Sequence, residues 1–227
     1  MVRVLELFSG TGSVSKVAKE RGWEVVSLDL KDADINMSIL DWDYKSYDGG
    51  FDVVWASPPC HTFSRLRDCW LGRKLKEHGD TVITREVLQQ DILDKGLPLL
   101  NRALDIIQHF APAYWFIENP ESGRMKDYLV GYPMITVDYC MYSDWGYRKR
   151  TNIWTNIEDF KPLTCNKKCG NMIVAEGRKL HSKNCGNTER LRIGRDHSDQ
   201  RGTLGTSLRD RYRIPPKLIR ALFECCQ

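Results

Sequence analysis

The strongest constraint on the fold is a set of short apolar runs of strand length that alternate with helical patterns. The runs are VRVLELF (2–8), WEVVSLD (23–29), FDVVWA (51–56) and AYWFIEN (113–119). Between them, Val14, Val17 and Ala18 fall on one helical face, and an apolar stripe beside Pro98 predicts a main helix that begins near residue 97. Strands that alternate with helices predict an α/β domain with a mostly parallel sheet.

Polar clusters follow each of these runs directly. They are SGTGS after the first run, Asp29 after the second, SPPC after the third and ENP after the fourth. Ligands of parallel α/β sheets bind beyond the carboxyl ends of the strands. The four clusters are therefore expected to converge on one edge, while 134–145 and 150–156 are predicted to add two more strands.

Composition and charge limit the class of protein. The chain has 227 residues and no apolar run near the 18 or more that a membrane span requires, and MVRVLELFSG lacks the features of a signal peptide. A soluble, intracellular protein with reduced thiols is the expectation, and a monomer is favoured. Residues 161–220 hold 15 Lys and Arg against 5 Asp and Glu. This asymmetry favours a nucleic-acid partner over a merely solvated basic surface.

The turn FSGTGS indicates a nucleotide-type site. Gly10 and Gly12 allow a tight turn into a helix and close approach of a ligand, and the carboxylate of Asp29 can accept hydrogen bonds from ribose hydroxyls. The turn is neither a P-loop nor a complete dinucleotide fingerprint. An adenosine ligand without a pyrophosphate, such as S-adenosylmethionine, fits better, although a plain surface carboxylate remains the alternative for Asp29.

Taken together, the motifs resemble those of the cytosine-5 DNA methyltransferases. FSGTGS (8–13) is similar to the family's cofactor motif, SPPC (57–60) to its Pro-Cys motif, IENP (117–120) to its Glu-Asn motif and YRKRT (147–151) to its Arg-x-Arg motif. RIPPKLIRAL (213–222) resembles the last motif, whose helix returns to complete the cofactor pocket. The resemblance implies a Rossmann-like fold of the S-adenosylmethionine-dependent methyltransferases. The spacing of cysteine and histidine residues described below adds the expectation of a small, zinc-stabilised insert.

The resemblance also implies roles for individual residues. Cys60 would be the nucleophile that adds to carbon 6 of cytosine, and Glu118 would supply or share a proton at ring nitrogen 3. Asn119 would position the loop or the base, and Arg148 and Arg150 would hold the cytosine carbonyl and a phosphate. The cofactor would contact Phe8, Ser9, Gly10, Thr11, Gly12, Asp29, Leu30, Ser38 and Pro58, with Asp34 and Asp41 as alternatives to Ser38.

The charged, aperiodic segment 65–85 is predicted to be a long loop that closes over a flipped base. Its start supplies the expected DNA contacts Ser64, Arg65 and Arg67. Further contacts are expected from Lys167 and Lys168 in the basic insert.

The insert has a metal-type spacing, Cys165-x3-Cys169-x11-His181-x3-Cys185. Three thiols and one imidazole in two short-spaced pairs suit a tetrahedral structural zinc site. The alternative is a loop with incidental free thiols, and His197 is a weaker candidate ligand. Cys69, Cys140, Cys225 and Cys226 are interpreted as packing residues.

Residues 1–156 and 205–227 are thus expected to form a catalytic domain and residues 157–204 a target-recognition insert. The predicted activity is methyl transfer from S-adenosylmethionine to carbon 5 of cytosine in DNA, through a covalent Cys60 adduct and base flipping. Two alternatives stay open: an RNA cytosine-5 methyltransferase or related one-carbon modification, and a catalytically silent nucleic-acid-binding relative. The chain departs from the family pattern at Gly146–Tyr147, where the family usually has a glutamine.

Overall fold

The computed structural model describes residues 1–175, 177–187 and 204–226, and the structural statements below concern those residues. His197, the weaker candidate ligand, lies outside them. Within the described part of the chain, no helix has the length and apolar composition needed to cross a membrane.

The centre of the structure is a seven-stranded sheet in the order β3-β2-β1-β4-β5-β7-β6. All neighbouring pairs from β3 to β5 are parallel, whereas β7 runs antiparallel to both β5 and β6. The mostly parallel α/β fold predicted from the sequence is therefore confirmed. The strands are β1 (Arg3–Leu7), β2 (Glu24–Asp29), β3 (Ile35–Asn36), β4 (Val53–Ala56), β5 (Tyr114–Pro120), β6 (Met134–Asp138) and β7 (Arg150–Thr155).

Helices cover both faces of this sheet. They are α1 (Ser13–Glu20), α2 (Arg85–Asp91), α3 (Leu97–Phe110), α4 (Leu208–Tyr212) and α5 (Pro216–Phe223). One apolar cluster joins α1 and α5 to inward-facing residues of the central strands, and another joins α3 to the opposite face. The main helix begins at Leu97 as predicted, and a short π-helical stretch, Ile92–Gly96, connects it to α2.

The C-terminal segment returns to the first helix. Phe223 is fully buried and its ring contacts Trp23, Trp55 and Phe116. The backbone N–H of Ile214 donates to Ser13 Oγ (3.1 Å), at the point where the FSGTGS turn enters α1. The two ends of the chain thus meet beside this turn.

Two expectations about strands and loops need correction. The strand predicted over 134–145 ends at Asp138, because the chain then forms a 3-10 turn over Tyr139–Met141. Segment 65–85 is not an open loop, since it contains 3-10 turns at Arg65–Trp70 and Lys76–His78. Such short 3-10 turns leave no signature in the alternation of apolar and polar residues, so the sequence pattern does not predict them.

The insert contains strands that the sequence does not predict. An antiparallel hairpin pairs β8 (Met172–Ala175) with β9 (Arg178–His181), and a parallel pair joins β10 (Lys183–Asn187) to β11 (Leu204–Thr206). The backbone N–H of Lys183 donates to Gly146 O (2.8 Å), which attaches the start of β10 to the segment before β7.

We expect Phe223→Ala to lower the free energy of unfolding by about 3–5 kcal/mol, because it leaves a cavity between α5 and the sheet. Chemical denaturation followed by circular dichroism measures this change. The control Val130→Ala alters a side chain that is 80% exposed and should stay within about 0.5 kcal/mol of the unmodified protein. Equal stability of both variants would contradict this packing.

Candidate functional site

The polar clusters predicted to converge lie at the carboxyl edge of the sheet. Cys60 follows β4, and Glu118 and Asn119 lie in β5, which pairs with β4 up to the Ala56–Ile117 step. Strand β1 pairs with the other side of β4, so the FSGTGS turn leaves the sheet beside the Cys60 segment. Three neighbouring strands thus deliver a thiol, a carboxyl group and a glycine turn to one edge.

Cys60 is partly buried and lies within electrostatic range of three charged side chains, those of Lys149, Glu118 and Arg211. Burial raises the pKa of the Cys60 thiol, the ammonium group of Lys149 opposes this rise, and the carboxyl group of Glu118 adds to it. The balance keeps the thiol protonated at neutral pH. A nearby cation is therefore needed to stabilise the thiolate form of Cys60.

Glu118 is almost fully buried and is oriented by two donors. The Tyr139 hydroxyl donates to Glu118 Oε1 (2.8 Å), and the Lys149 ammonium group donates to the same oxygen (3.2 Å). Burial and the neighbouring carboxyl group raise the pKa of Tyr139, so its hydroxyl remains a donor. Because both contacts use Oε1, they fix the carboxyl group without occupying Oε2.

Asn119 connects β5 to the segment that carries the thiol. Its side chain is buried, and Nδ2 donates to the backbone oxygen of Pro58 (2.9 Å). This hydrogen bond spans the gap between β5 and the residues just before Cys60. It is the contact that a loop-positioning role requires.

The FSGTGS turn has the backbone that the glycines predict. Gly10 and Gly12 have φ values of +50° and +63°, and Phe8 also lies in the left-handed region with φ +58°. Strained backbone of this kind concentrates at ligand sites. Thr11 hydrogen-bonds the side chain of Ser13, and Ser9 is buried.

Asp29 closes this turn. Its Oδ2 accepts the backbone N–H of Gly10 (2.8 Å) and its Oδ1 accepts that of Leu30 (2.7 Å). Each carboxylate oxygen can still accept a further hydrogen bond. Leu30 is 72% exposed beside it, and Ser38 is half-buried, whereas Asp34 is engaged by the Ser27 hydroxyl and backbone N–H.

Glu6 supports the same turn and is a residue that the sequence analysis missed. Its buried carboxylate accepts the backbone N–H groups of Val14 (3.2 Å) and Ser15 (2.8 Å) at the start of α1. Burial raises the pKa of Glu6, while its hydrogen bonds with Ser15 oppose the rise. The sequence signal for Glu6 was a charged residue within the otherwise apolar stretch VLELF (4–8).

Arg148 and Arg150 point the same way, but their partner is not the carboxyl group of Glu118. Arg148 Nε and Arg150 Nη2 donate to the fully buried carboxylate of Asp138 (2.8 and 3.0 Å). Lys149, between them, contacts Glu118 because successive residues of an extended chain point to opposite sides. The two arginines therefore pair with Asp138 and Lys149 pairs with Glu118, while the expected contacts of Arg148 and Arg150 with the cytosine carbonyl and a phosphate stay a prediction.

The expected DNA contacts in segment 65–85 divide in two. Arg65 is exposed, and Ser64 Oγ accepts the Leu66 backbone N–H at the start of the 3-10 turn. Arg67 is buried against Asp91, which also contacts His78 (2.9 Å) and Lys95 (2.6 Å). Burial would raise the pKa of Asp91, but these hydrogen bonds hold it well below its usual range. Arg67 is thus a residue that anchors the segment, which corrects its assignment to phosphate.

The predicted metal ligands are only partly brought together. Cys165, Cys169 and His181 form a compact group, but its fourth member is Cys140, and the ligand atoms all lie within 4.8 Å of one another. Cys185 is not in this group, because β10 carries it toward Lys149 and Arg211. The interpretation of Cys140 as a packing residue overlooked this group, since sequence spacing cannot detect a ligand 25 residues away.

Lys149 provides a test of the electrostatics at Cys60. Lys149→Met removes the stronger of the two cations that oppose the rise, the other being Arg211. The pKa of the thiol should therefore rise further, and each unit of rise should slow alkylation of Cys60 about tenfold at a fixed pH. Mass spectrometry of the Cys60 peptide after iodoacetamide treatment, over a pH series, measures this. Lys149→Arg retains the charge and is the matched control. Identical profiles for all three proteins would refute the assignment.

No family model matches the chain. It is 44% identical over 232 residues, covering 99% of this chain and 100% of the relative, to a "Probable DNA (cytosine-5)-methyltransferase" of Frog virus 3 (isolate Goorha). Solved structures of the Entamoeba histolytica methyltransferase EhMeth (14% identity, TM-score 0.46) and of S. pombe Dnmt2 methyltransferase (14%, 0.43) align with 73% and 74% of the chain. The chain spans 56% of the length of each of these two structures. On its identity to the viral protein, the chain belongs to the DNA (cytosine-5)-methyltransferase family.

Proposed function

We propose that the protein transfers a methyl group from S-adenosylmethionine to carbon 5 of cytosine in DNA, with Cys60 as the covalent nucleophile. The observation that carries this proposal is the placement of the Cys60 thiol beside Glu118 and Lys149, next to the FSGTGS turn. Membership of the family and the printed name of the viral relative support the choice of DNA and of carbon 5.

The turn after β1 fits the adenosine part of S-adenosylmethionine. The left-handed backbone at Gly10 and Gly12 leaves room for a ligand, and the Asp29 oxygens retain acceptor capacity for ribose hydroxyls. The exposed side chain of Leu30 beside Asp29 can cover an apolar ring face. Phe8, Ser9, Thr11, Ser38 and Pro58 complete the proposed contacts. When bound, S-adenosylmethionine supplies an electrophilic methyl group.

Cys60 and Glu118 divide the chemistry at the cytosine ring. The Cys60 thiol loses its proton to solvent, Sγ bonds to carbon 6 as the double bond between carbons 5 and 6 opens, and the ring electrons move toward carbon 5 and nitrogen 3. Glu118, whose Oε2 is left unoccupied by Tyr139 and Lys149, shares a proton with nitrogen 3. After methyl transfer a base removes the carbon 5 proton, the ring double bond re-forms and Sγ leaves carbon 6.

Lys149 has two roles in this scheme. Its charge stabilises the Cys60 thiolate, and it can donate to the cytosine carbonyl, the role expected of Arg148 or Arg150 from the motif. Those two arginines become positioning residues, because their bonds to Asp138 fix the chain that carries Lys149. Asn119 holds the backbone before Cys60.

A cytosine inside a duplex must leave the base stack to reach Cys60. Segment 65–85 lies directly after the Cys60 segment, and its exposed residue Arg65 is suited to phosphate. Exposed Lys167 and Lys168, on the loop between two of the clustered thiols, suit the same partner. Residues 157–204 are accordingly proposed to form the recognition insert of a catalytic domain made from 1–156 and 205–227.

The proposal is tested with S-adenosylmethionine labelled in the methyl group, supplied with duplex DNA or with RNA. We expect label in DNA, and we expect Cys60→Ala to lower incorporation by at least about a thousandfold, as for loss of a nucleophile. The matched control is Cys225→Ala, which removes a cysteine outside the proposed site. Label in RNA alone would favour the RNA alternative, and no label in either polymer would favour the silent relative.

Covalent chemistry has its own test. DNA that contains 5-fluorocytosine lacks the removable carbon 5 proton, so the adduct with Cys60 should accumulate and be visible as a shifted band on a denaturing gel. Cys60→Ala should form no such band. An adduct that survives this substitution would contradict the assignment of the nucleophile.

A further inference from the structure

The described residues contain a compact group of four metal-type ligands outside the proposed methyl-transfer site. It consists of the thiols of Cys140, Cys165 and Cys169 and the imidazole of His181, hereafter the Cys3His group. Cys140 and Cys165 are buried and the other two are half-buried. No disulfide joins these cysteines. Three soft thiols and one imidazole are a donor set that favours zinc.

Two distances within the group match those of a zinc tetrahedron. Zn–S bonds of about 2.3 Å and a Zn–N bond of about 2.0 Å place sulfur and nitrogen about 3.5 Å apart and two sulfurs about 3.8 Å apart. The distances from His181 Nε2 to Sγ of Cys165 and Cys169 are 3.6 and 3.3 Å. Since all four ligand atoms lie within 4.8 Å of one another, the group is compact enough to bind one ion. Four protein ligands leave no open position for catalysis.

The ligands come from three separate parts of the fold. Cys140 lies in the 3-10 turn that follows β6, the edge strand of the main sheet, and is outside the predicted insert. Cys165 and Cys169 lie in the loop before β8, and His181 ends β9. An ion at this position would therefore join the insert to the edge of the catalytic sheet, and would not stabilise the insert alone.

Polar contacts around the group reinforce the same connection. The backbone N–H of Cys165 donates to Asp138 Oδ2 (2.7 Å), the carboxylate that binds Arg148 and Arg150. Asn171, which is buried, donates to the backbone oxygens of Cys140 (2.9 Å) and Ser143 (2.7 Å).

Asn171 also accepts the backbone N–H of Gly146 (2.9 Å), so that one insert residue holds both ends of the segment between β6 and β7. Gly146 also allows Ser182 of the insert to approach the backbone closely, because a Cβ at Gly146 would lie 2.6 Å from Ser182 Oγ. Its φ of +87° also favours glycine.

The same segment orients the catalytic carboxyl group. Tyr139, which donates to Glu118, directly precedes Cys140, and Lys149, its second donor, lies between the two arginines that Asp138 holds. We propose that Zn²⁺ binds the Cys3His group and acts as a structural clamp that keeps Tyr139 and Lys149 against Glu118. The clamp itself depends only on the described contacts, whereas its importance for methyl transfer rests on the proposed function.

Metal content tests the ligand set. Protein purified under reducing conditions without chelator should contain about one zinc ion per chain, measured by mass spectrometry of the metal. Cys140→Ser and Cys169→Ser should lose most of it, and Cys185→Ser, the ligand favoured by spacing alone, should retain it. Zinc-free unmodified protein, or loss of zinc in Cys185→Ser with retention in Cys140→Ser, would overturn the proposal.

Cobalt titration tests the same ligand set in the unmodified protein, so its result does not depend on whether the variants fold. Co²⁺ added to the zinc-free, unmodified protein should give the visible absorption of tetrahedral cobalt with thiolate charge-transfer bands, saturating at about one equivalent. An octahedral cobalt spectrum would contradict a site made of the Cys3His group.

Hydrogen exchange tests the clamp without DNA or S-adenosylmethionine. Removal of zinc should accelerate exchange in peptides that cover 138–150, and exchange in α1 should be unchanged. Unaltered exchange in 138–150 would overturn the clamp. A protein that meets these metal and exchange expectations but transfers no methyl group would contradict the proposed function alone.

Discussion

The buried carboxylate of Asp138 organises the functional edge of this protein. A fully buried charge is costly unless it is paired and hydrogen-bonded, and Asp138 receives Arg148, Arg150 and the backbone N–H of Cys165. Burial would raise the pKa of Asp138, but these hydrogen bonds lower it, so the group stays charged. Satisfying this one carboxylate fixes the start of β7 and draws the insert against the sheet.

The position of Lys149 follows from that arrangement. With Arg148 and Arg150 directed to Asp138, the intervening side chain points to the other side of the extended chain, where it contacts Glu118. Tyr139 directly follows Asp138 in the chain, so its side chain also points away from that of Asp138. Its hydroxyl donates to the same oxygen of Glu118. The residues that hold the insert and the residues that orient the carboxyl group of Glu118 therefore alternate along two neighbouring segments. This alternation is why a clamp at the Cys3His group would act on Glu118.

The sheet supplies the remaining geometry. Parallel strands β1, β4 and β5 end at one edge, which brings the FSGTGS turn, Cys60 and Glu118 together although they are far apart in sequence. The strand-length apolar runs and their polar ends were sufficient to predict this convergence, because periodicity is a local property and the parallel strands of an α/β sheet end at one edge. Arg67 was assigned wrongly for the opposite reason, since its burial against Asp91 depends on how α2 packs on the segment after Cys60.

The sequence alone determined the α/β class, the positions of the main strands along the chain, the glycine turn with Asp29 and, through the family resemblance, Cys60 and Glu118 as candidates for the chemistry. Only the tertiary structure decided which side chain of the Arg148–Arg150 segment faces Glu118 and which thiol completes the group around His181. Both depend on contacts between segments distant in sequence, such as Asp138 with Arg148 and Cys140 with Cys169. Spacing within one segment carries no information about such contacts, because strand direction and packing choose the partner.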